Sequence, residues 1–346
     1  MTKDIFMQKK TAGSIGIAYS PIHVLILAKL FENDQSYLVI ADRSLRVICK
    51  ALFNQENIIL TSLPSFSCSS VDKILASVQC ILMYIMRLAC DKLFIPNEAH
   101  FFVSLLESAT KYNSLYFIDE GNTYSTLVRH NENTDYFRSS VSKILSTLLR
   151  VSFYPHPLSR RDYAAAYVFN SEAVQKLVPW LHVIEASLPD LSSLLTPSSI
   201  ESVDVCFGSE IGLFFSSPIT ENGFCSYSYE EIDVLRQYLD TEHESDDRTI
   251  FIKPHYRESQ SKYKELISAY PRVKMIPSCL EPFPAQVLVS SLRPTLVIGF
   301  HSSSILGLTY PTLVTSLSKR LQSKKAQSLA SSLDVLLEGK MNYSFF

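Results

Sequence analysis

The feature that most narrows what this chain can fold into is an alternation that runs along nearly its whole length. Short β-branched or aromatic runs are followed by longer stretches of helical character. That is the pattern of βα units, in which a crossover helix separates successive parallel strands. In the first half, strands are expected at 14–19, 37–41, 57–60, 92–95 and 114–118, with helices at 22–31, 44–53, 71–89 and 102–111. A further strand at 163–169 leads into a helix at 171–177.

From Leu188 to Ser202 the sequence turns rich in Ser and Pro, which reads as a linker between domains. A second alternating series follows, with strands at 203–207, 249–252, 273–276 and 295–299 and helices at 229–239, 261–269, 284–291 and 303–308. The expected organisation is two doubly wound α/β domains, 1–187 and 203–346, facing each other across a cleft that would hold the ligand. A chain of 346 residues with 47% hydrophobic content can bury two cores.

Composition excludes several classes. A net charge of −2 argues against a general nucleic-acid binder. Cys49, Cys68, Cys80, Cys90, Cys206, Cys225 and Cys279 form no CxxC pair and no zinc spacing, which suits reduced, mostly buried thiols of a cytoplasmic protein. The N-terminus lacks the apolar core of a signal peptide. The apolar run from Ile74 to Cys90 carries Gln79 and Arg87 and is expected to be a buried helix rather than a membrane span. The basic cluster from Lys319 to Lys325 reads as a solvated helix face, with peripheral contact to an anionic membrane as the other reading.

Three loops could carry chemistry. In the first, Asp119-Glu120-Gly121 closes an apolar run, where the carboxyl ends of parallel strands receive ligands and glycine permits a sharp turn. One carboxylate there could be a general base for a hydroxyl, or one of the pair could simply cap the next helix. In the second, a hydrophobic strand runs into Lys253-Pro254-His255-Tyr256-Arg257, a cluster suited to an anion: Lys253 and Arg257 supply charge and His255 a donor or proton source. In the third, a buried strand breaks at Gly299 and serines open a helix, whose N-terminal N–H groups and hydroxyls could cradle a phosphate. Helix capping alone also selects serine. The sequence has no DxD flanked by strands, no HExxH and no GxSxG elbow.

Taken in order, the loops resemble a triplet of bacterial sialyltransferases, meaning the lipooligosaccharide sialyltransferases and capsular polysialyltransferases. Those show an acidic-acidic-Gly motif, a His-Pro motif and a Ser-Ser motif. Here the counterparts are Asp119-Glu120-Gly121, Lys253-Pro254-His255-Tyr256 and Ser302-Ser303-Ser304, and the opening Ala18-Tyr19-Ser20-Pro21-Ile22-His23 also looks like that group's first strand-to-helix loop. The resemblance implies a GT-B fold, a CMP-sialic acid donor, a glycan or glycolipid acceptor, and neither metal nor cofactor. It implies Asp119 as base, supported by Glu120 and Gly121, and His255 at the departing CMP phosphate. It further implies Lys253, Ser302, Ser303 and Ser304 on that phosphate, Gly208 and Ser209 near the nucleotide, and Ser20 and His23 on the acceptor side.

Two positions depart from the pattern. Tyr256 replaces the proline after the motif His, while His156-Pro157 follows no strand and is a decoy. Where the group places a Glu on the ribose, this chain has Gln286, with Glu281 nearby as a substitute. The alternatives are a GT-B-like transferase with another donor such as CDP-glycerol, and a non-catalytic nucleotide-sugar-binding relative.

Overall fold

The computed structural model describes residues 11–61, 88–96, 101–121, 123–124, 126–127, 158–189, 210–221, 227, 229–242, 248–255, 258–300, 313–324, 327 and 343–345. The chain divides into two compact units, Met1–Pro189 and Asp190–Phe346. The division falls within the stretch read as a linker, of which residues 190–202 lie outside the described residues.

The first unit carries β1 (Thr11–Ala18), α1 (Pro21–Leu30), β2 (Tyr37–Asp42), α2 (Arg46–Leu52), β3 (Ile58–Thr61), β4 (Leu88–Ile95), α3 (Phe101–Ala109), β5 (Thr110–Ile118), β6 (Ala165–Val168), α4 (Ser171–Leu177) and β7 (Val183–Glu185). Its seven strands lie in the order β3-β2-β1-β4-β5-β6-β7. Every described pairing in this sheet is parallel. The order reverses at β1, so the switch point lies between the carboxyl ends of β1 and β4. β2 is apolar and buried over five successive residues, as expected for a strand covered on both faces. α1 starts with Pro21 in its first turn and buries Ile22 through Leu27 without interruption. It lies close against β1: a Cβ on Gly16 would come within 2.5 Å of the Leu27 side chain.

The second unit carries β8 (Ile211–Phe215), α5 (Glu230–Glu242), β9 (Thr249–Lys253), α6 (Lys264–Ala269), β10 (Val273–Met275), α7 (Ala285–Leu292), β11 (Leu296–Gly299), β12 (Leu313–Ser316) and β13 (Tyr343–Phe345). The strand order is β10-β9-β8-β11-β12-β13, again parallel throughout. Here the switch point lies between β8 and β11. All five residues of β8 are buried, and Phe214, Ile252 and Ile298 share one core.

Several elements differ from expectation. β4 begins at Leu88, so the apolar run ending at Cys90 finishes in a strand; residues 74–87 lie outside the described residues. Periodicity alone does not separate a buried strand from a buried helix in such a run. No helix among the described residues is long and apolar enough to cross a membrane. β5 begins at Thr110 rather than Ser114, because its exposed first half carries Lys111 and Asn113. β7, β8, β12 and β13 were not expected, and the predicted strand at 203–207 lies outside the described residues.

The basic cluster is not one continuous helix face. Ser318–Arg320 form a 3-10 turn, Leu321 is buried, and the backbone N–H groups of Gln322 and Ser323 donate to the buried Glu230 carboxylate. The thiols of Cys49 and Cys90 are buried, and that burial pushes both up to about 12, which makes them poor nucleophiles.

Candidate functional site

At the carboxyl end of the first sheet, β5 delivers Asp119, Glu120 and Gly121. Gly121 has φ 85°, a left-handed conformation that explains glycine at this turn. Asp119 is only 2% exposed. One of its oxygens accepts from the Gly121 N–H (2.7 Å), the Thr123 N–H (3.3 Å) and the Thr123 hydroxyl (2.6 Å). The other accepts from the Phe169 N–H at 3.0 Å, beyond the end of β6. Burial raises the pKa of Asp119, while these four donors work to lower it. Asp119 therefore closes the turn from 119 to 123, and it does so as a carboxyl group whose affinity for a proton is raised.

Glu120 is half-buried and turns the other way. It accepts from the Tyr19 hydroxyl at 2.5 Å, a bond that reaches past the end of β4 to the loop after β1. The Tyr19 ring stands edge-on to His23, with centroids 4.6 Å apart. Ser20 does not cap α1 with its side chain; its hydroxyl pairs with His23 Nδ1 at 3.0 Å. Ser20, His23 and Glu120 are thus gathered around Tyr19 at the switch point of this sheet. Thr123 was not singled out in the sequence, and Tyr19 was quoted there only as part of the first strand-to-helix loop, without a role of its own. Tyr19 ends an apolar run directly before the Ser-Pro start of α1, which is where a parallel strand presents a side chain to ligand.

In the second unit, β9 ends on Lys253, whose ammonium donates to the Glu281 carbonyl at 2.8 Å. Burial lowers Lys253 to about 8, with the Glu281 charge opposing that shift. Pro254 is buried and His255 half-buried. Ser216, just beyond β8, holds the loop on both sides of Pro254. Its N–H donates to the Lys253 carbonyl at 3.2 Å, and its hydroxyl accepts from the His255 N–H at 2.7 Å.

The same His255 N–H also donates to Glu258 at 2.8 Å, and the Ser216 hydroxyl contacts that carboxylate. Glu258 further accepts from Lys262 Nζ at 2.7 Å and the Tyr263 hydroxyl at 3.1 Å. Glu221, Glu231 and Glu258 converge closely enough to suggest a cation site, but the Lys262 ammonium pairs with all three carboxylates. Burial disfavours that ammonium, yet hydrogen bonds to Glu231 and Glu258 hold its pKa above the usual lysine value.

Glu281, expected near the ribose, also accepts from Gln260 Nε2 at 3.0 Å. Gln286 is buried in the first turn of α7. Gly208, Ser209, Ser302, Ser303, Ser304, Tyr256, Arg257 and the decoy His156 lie outside the described residues. Ser216, Glu258 and Lys262 escaped the sequence reading because β8 itself did. The available signals were the Ser216-Ser217-Pro218 break after an apolar run and the Glu258/Lys262 spacing of i, i+4.

Two all-parallel doubly wound sheets with polar loops at their switch points define a class, and the fold comparisons agree with it. The chain resembles the GT-B domain of a sialyltransferase from Photobacterium damselae (TM-score 0.55, 12% identity, 96% of this chain and 99% of that one). It also resembles MnaA of S. aureus with UDP (0.54, 9%, 94% and 88%). A third likeness is to the UDP-GlcNAc 2-epimerase of Methanocaldococcus jannaschii (0.52, 9%, 94% and 92%). At these identities the likeness shows the fold alone, which is GT-B-like.

The more particular finding comes from sequence. Residues 213–316, from within β8 to the end of β12, match the family model of the alpha-2,8-polysialyltransferases. No curated protein matches the chain. The chain is a glycosyltransferase, and its resemblance to the polysialyltransferase and sialyltransferase group holds.

Proposed function

We propose that this chain transfers sialic acid from CMP-sialic acid to a hydroxyl of a cell-surface glycan, of lipooligosaccharide or capsule, with inversion at the anomeric carbon. The observation that carries the reading is the polysialyltransferase match over 213–316, a stretch that contains Lys253 and His255 at the end of β9. Asp119 takes the proton of the attacking acceptor hydroxyl, a role supported by the burial that raises its pKa. Charge then accumulates on the CMP phosphate, where His255, Lys253 and the serines Ser302 and Ser303, with Ser304 beside them, receive it. Gly208, Ser209, Gln286 and Glu281 complete the nucleotide side. The reaction uses no metal or cofactor and takes place on the cytoplasmic side, with peripheral contact to the inner membrane through the basic residues near Lys319.

A second reading of the base has a specific observation in its favour. Asp119 is enclosed by four donors, whereas Glu120 is the more exposed carboxylate of the pair. The test of the overall reading is a donor panel in EDTA: CMP-sialic acid, UDP-GlcNAc and CDP-glycerol, followed by donor turnover and thermal shift. Turnover of CMP-sialic acid alone, undiminished by EDTA, is expected. Turnover of CDP-glycerol but not CMP-sialic acid would move the chain to another transferase activity, and binding without turnover to a non-catalytic role. A strict requirement for added magnesium would overturn the proposed handling of the phosphate.

A further inference from the structure

We infer that Glu258, acting through Ser216, is a positioning residue that holds the His255 loop in the conformation used at the donor phosphate; this rests on the role of His255 proposed above. Pro254 has no N–H, so the loop conformation must be set by the carbonyl before it and the N–H after it. Ser216 takes both: its N–H binds the Lys253 carbonyl and its hydroxyl accepts from the His255 N–H. Glu258 shares that His255 N–H and contacts the Ser216 hydroxyl, so the orientation of Ser216 is itself fixed by a carboxylate.

The carboxylate has little freedom of its own. Its side chain is 0% exposed, and Lys262 and the Tyr263 hydroxyl hold it from the other side. Lys262 is in turn held by Glu231, which accepts from the Thr220 hydroxyl at 2.6 Å. The chain of contacts therefore runs from the start of α5, through the turn before α6, to the backbone of His255.

A network of this kind is an expensive way to fill space. Taking ions out of water costs several kcal/mol each, and apolar residues of similar volume often serve stability as well or better. What apolar residues could not supply is an acceptor for a backbone N–H that follows a proline inside a site. The charged cluster therefore has one output that packing alone lacks, the conformation of residues 253–255.

The experiment is a mutant cycle in the full chain: Ser216→Ala and Glu258→Gln, each alone and each combined with His255→Ala, with transfer from CMP-sialic acid measured. Each single variant should lower kcat by about 10- to 100-fold, the scale expected when a catalytic group is displaced. Neither should cause a further loss once His255 is alanine. Effects that multiply in the His255→Ala background, or full activity in Ser216→Ala, would overturn the inference. Ser216→Ala leaves the Glu258–Lys262 pair in place, so it carries the test if Glu258→Gln fails to fold.

Should the wild-type chain turn over no nucleotide donor, the functional reading fails while the positioning inference is still decided by amide hydrogen exchange. Ser216→Ala should then speed exchange at the His255 and Glu258 amides and leave β8 and β9 protected. Unchanged exchange at His255 and Glu258, or loss of protection throughout the second unit, would overturn it.

Discussion

Two buried carboxylates, one in each unit, are held by opposite means. Among the described residues, Asp119 meets neutral donors: three backbone N–H groups and a threonine hydroxyl. Glu258 meets an ammonium, a tyrosine hydroxyl, a serine and one N–H. Neutral donors stabilise the charged form less than a paired cation does, so burial prevails at Asp119 and raises its pKa. A carboxylate held this way retains proton affinity and can still act as a base. Glu258 instead has its carboxylate oxygens taken up by a cation and by hydrogen-bond donors. The difference is the basis on which Asp119 is proposed for the chemistry and Glu258 for positioning.

The comparison breaks most visibly at Asp119. Asp119→Asn keeps the shape and removes proton acceptance, so transfer should fall by about 10²–10⁴-fold while CMP affinity barely changes. Glu120→Gln should leave most of the rate, since Glu120 contacts Tyr19 and stands outside the capped turn. A dead Glu120→Gln beside an active Asp119→Asn would assign the base to the half-buried Glu120 and leave Asp119 as a group that closes the turn.

On the other unit, His255→Ala should cost about 10²–10³-fold in transfer, in line with the loss of one donor to developing charge. It should also weaken CMP binding, which Asp119→Asn does not. His156→Ala should leave both quantities intact, and the reverse pattern would transfer the motif role to His156-Pro157. Ser302→Ala with Ser303→Ala should weaken CMP binding by about 1.5–3 kcal/mol per lost bond to a charged group. Unchanged affinity in the folded double variant would reduce those serines to helix caps.

How legible these roles were in the sequence follows from how local each signal is. β1 with the Ser-Pro start of α1, the Asp-Glu-Gly turn after β5 and the Lys-Pro-His turn after β9 are contiguous motifs, and all three lie at carboxyl ends of strands. Ser216, Glu258 and Lys262 carry no local pattern, because their function appears only once β8 lies beside β9. β8 was hard to read in itself: Ile211-Gly212-Leu213-Phe214-Phe215 is five residues long and interrupted by glycine. Glu230 illustrates the same limit, since its partners at 322 and 323 are about a quarter of the chain away.

The smallest expected effect concerns Lys253, and its sign follows from burial. With its folded-state value lowered from 10.5 to about 8, Lys253 is mostly an ammonium at pH 7 and mostly neutral at pH 9. The charged form attracts a phosphate more strongly than the neutral one, so CMP affinity should be level between about pH 7 and 8 and then decline, by at most about tenfold per pH unit for one proton. Stability runs the other way. Between about 8 and 10.5 the unfolded chain binds the proton that the folded chain has lost, so folding gains from Lys253 as pH rises through that window. At neutral pH the buried ammonium is therefore a cost to the fold. Lys253→Met should weaken CMP binding at pH 7, flatten the alkaline decline and leave the protein at least as stable. Calorimetric titration at three pH values with a melting curve at each would check this. An alkaline decline that persists in Lys253→Met would mean that another group titrates at the phosphate, and a large loss of stability would mean that the bond to the Glu281 carbonyl outweighs the burial.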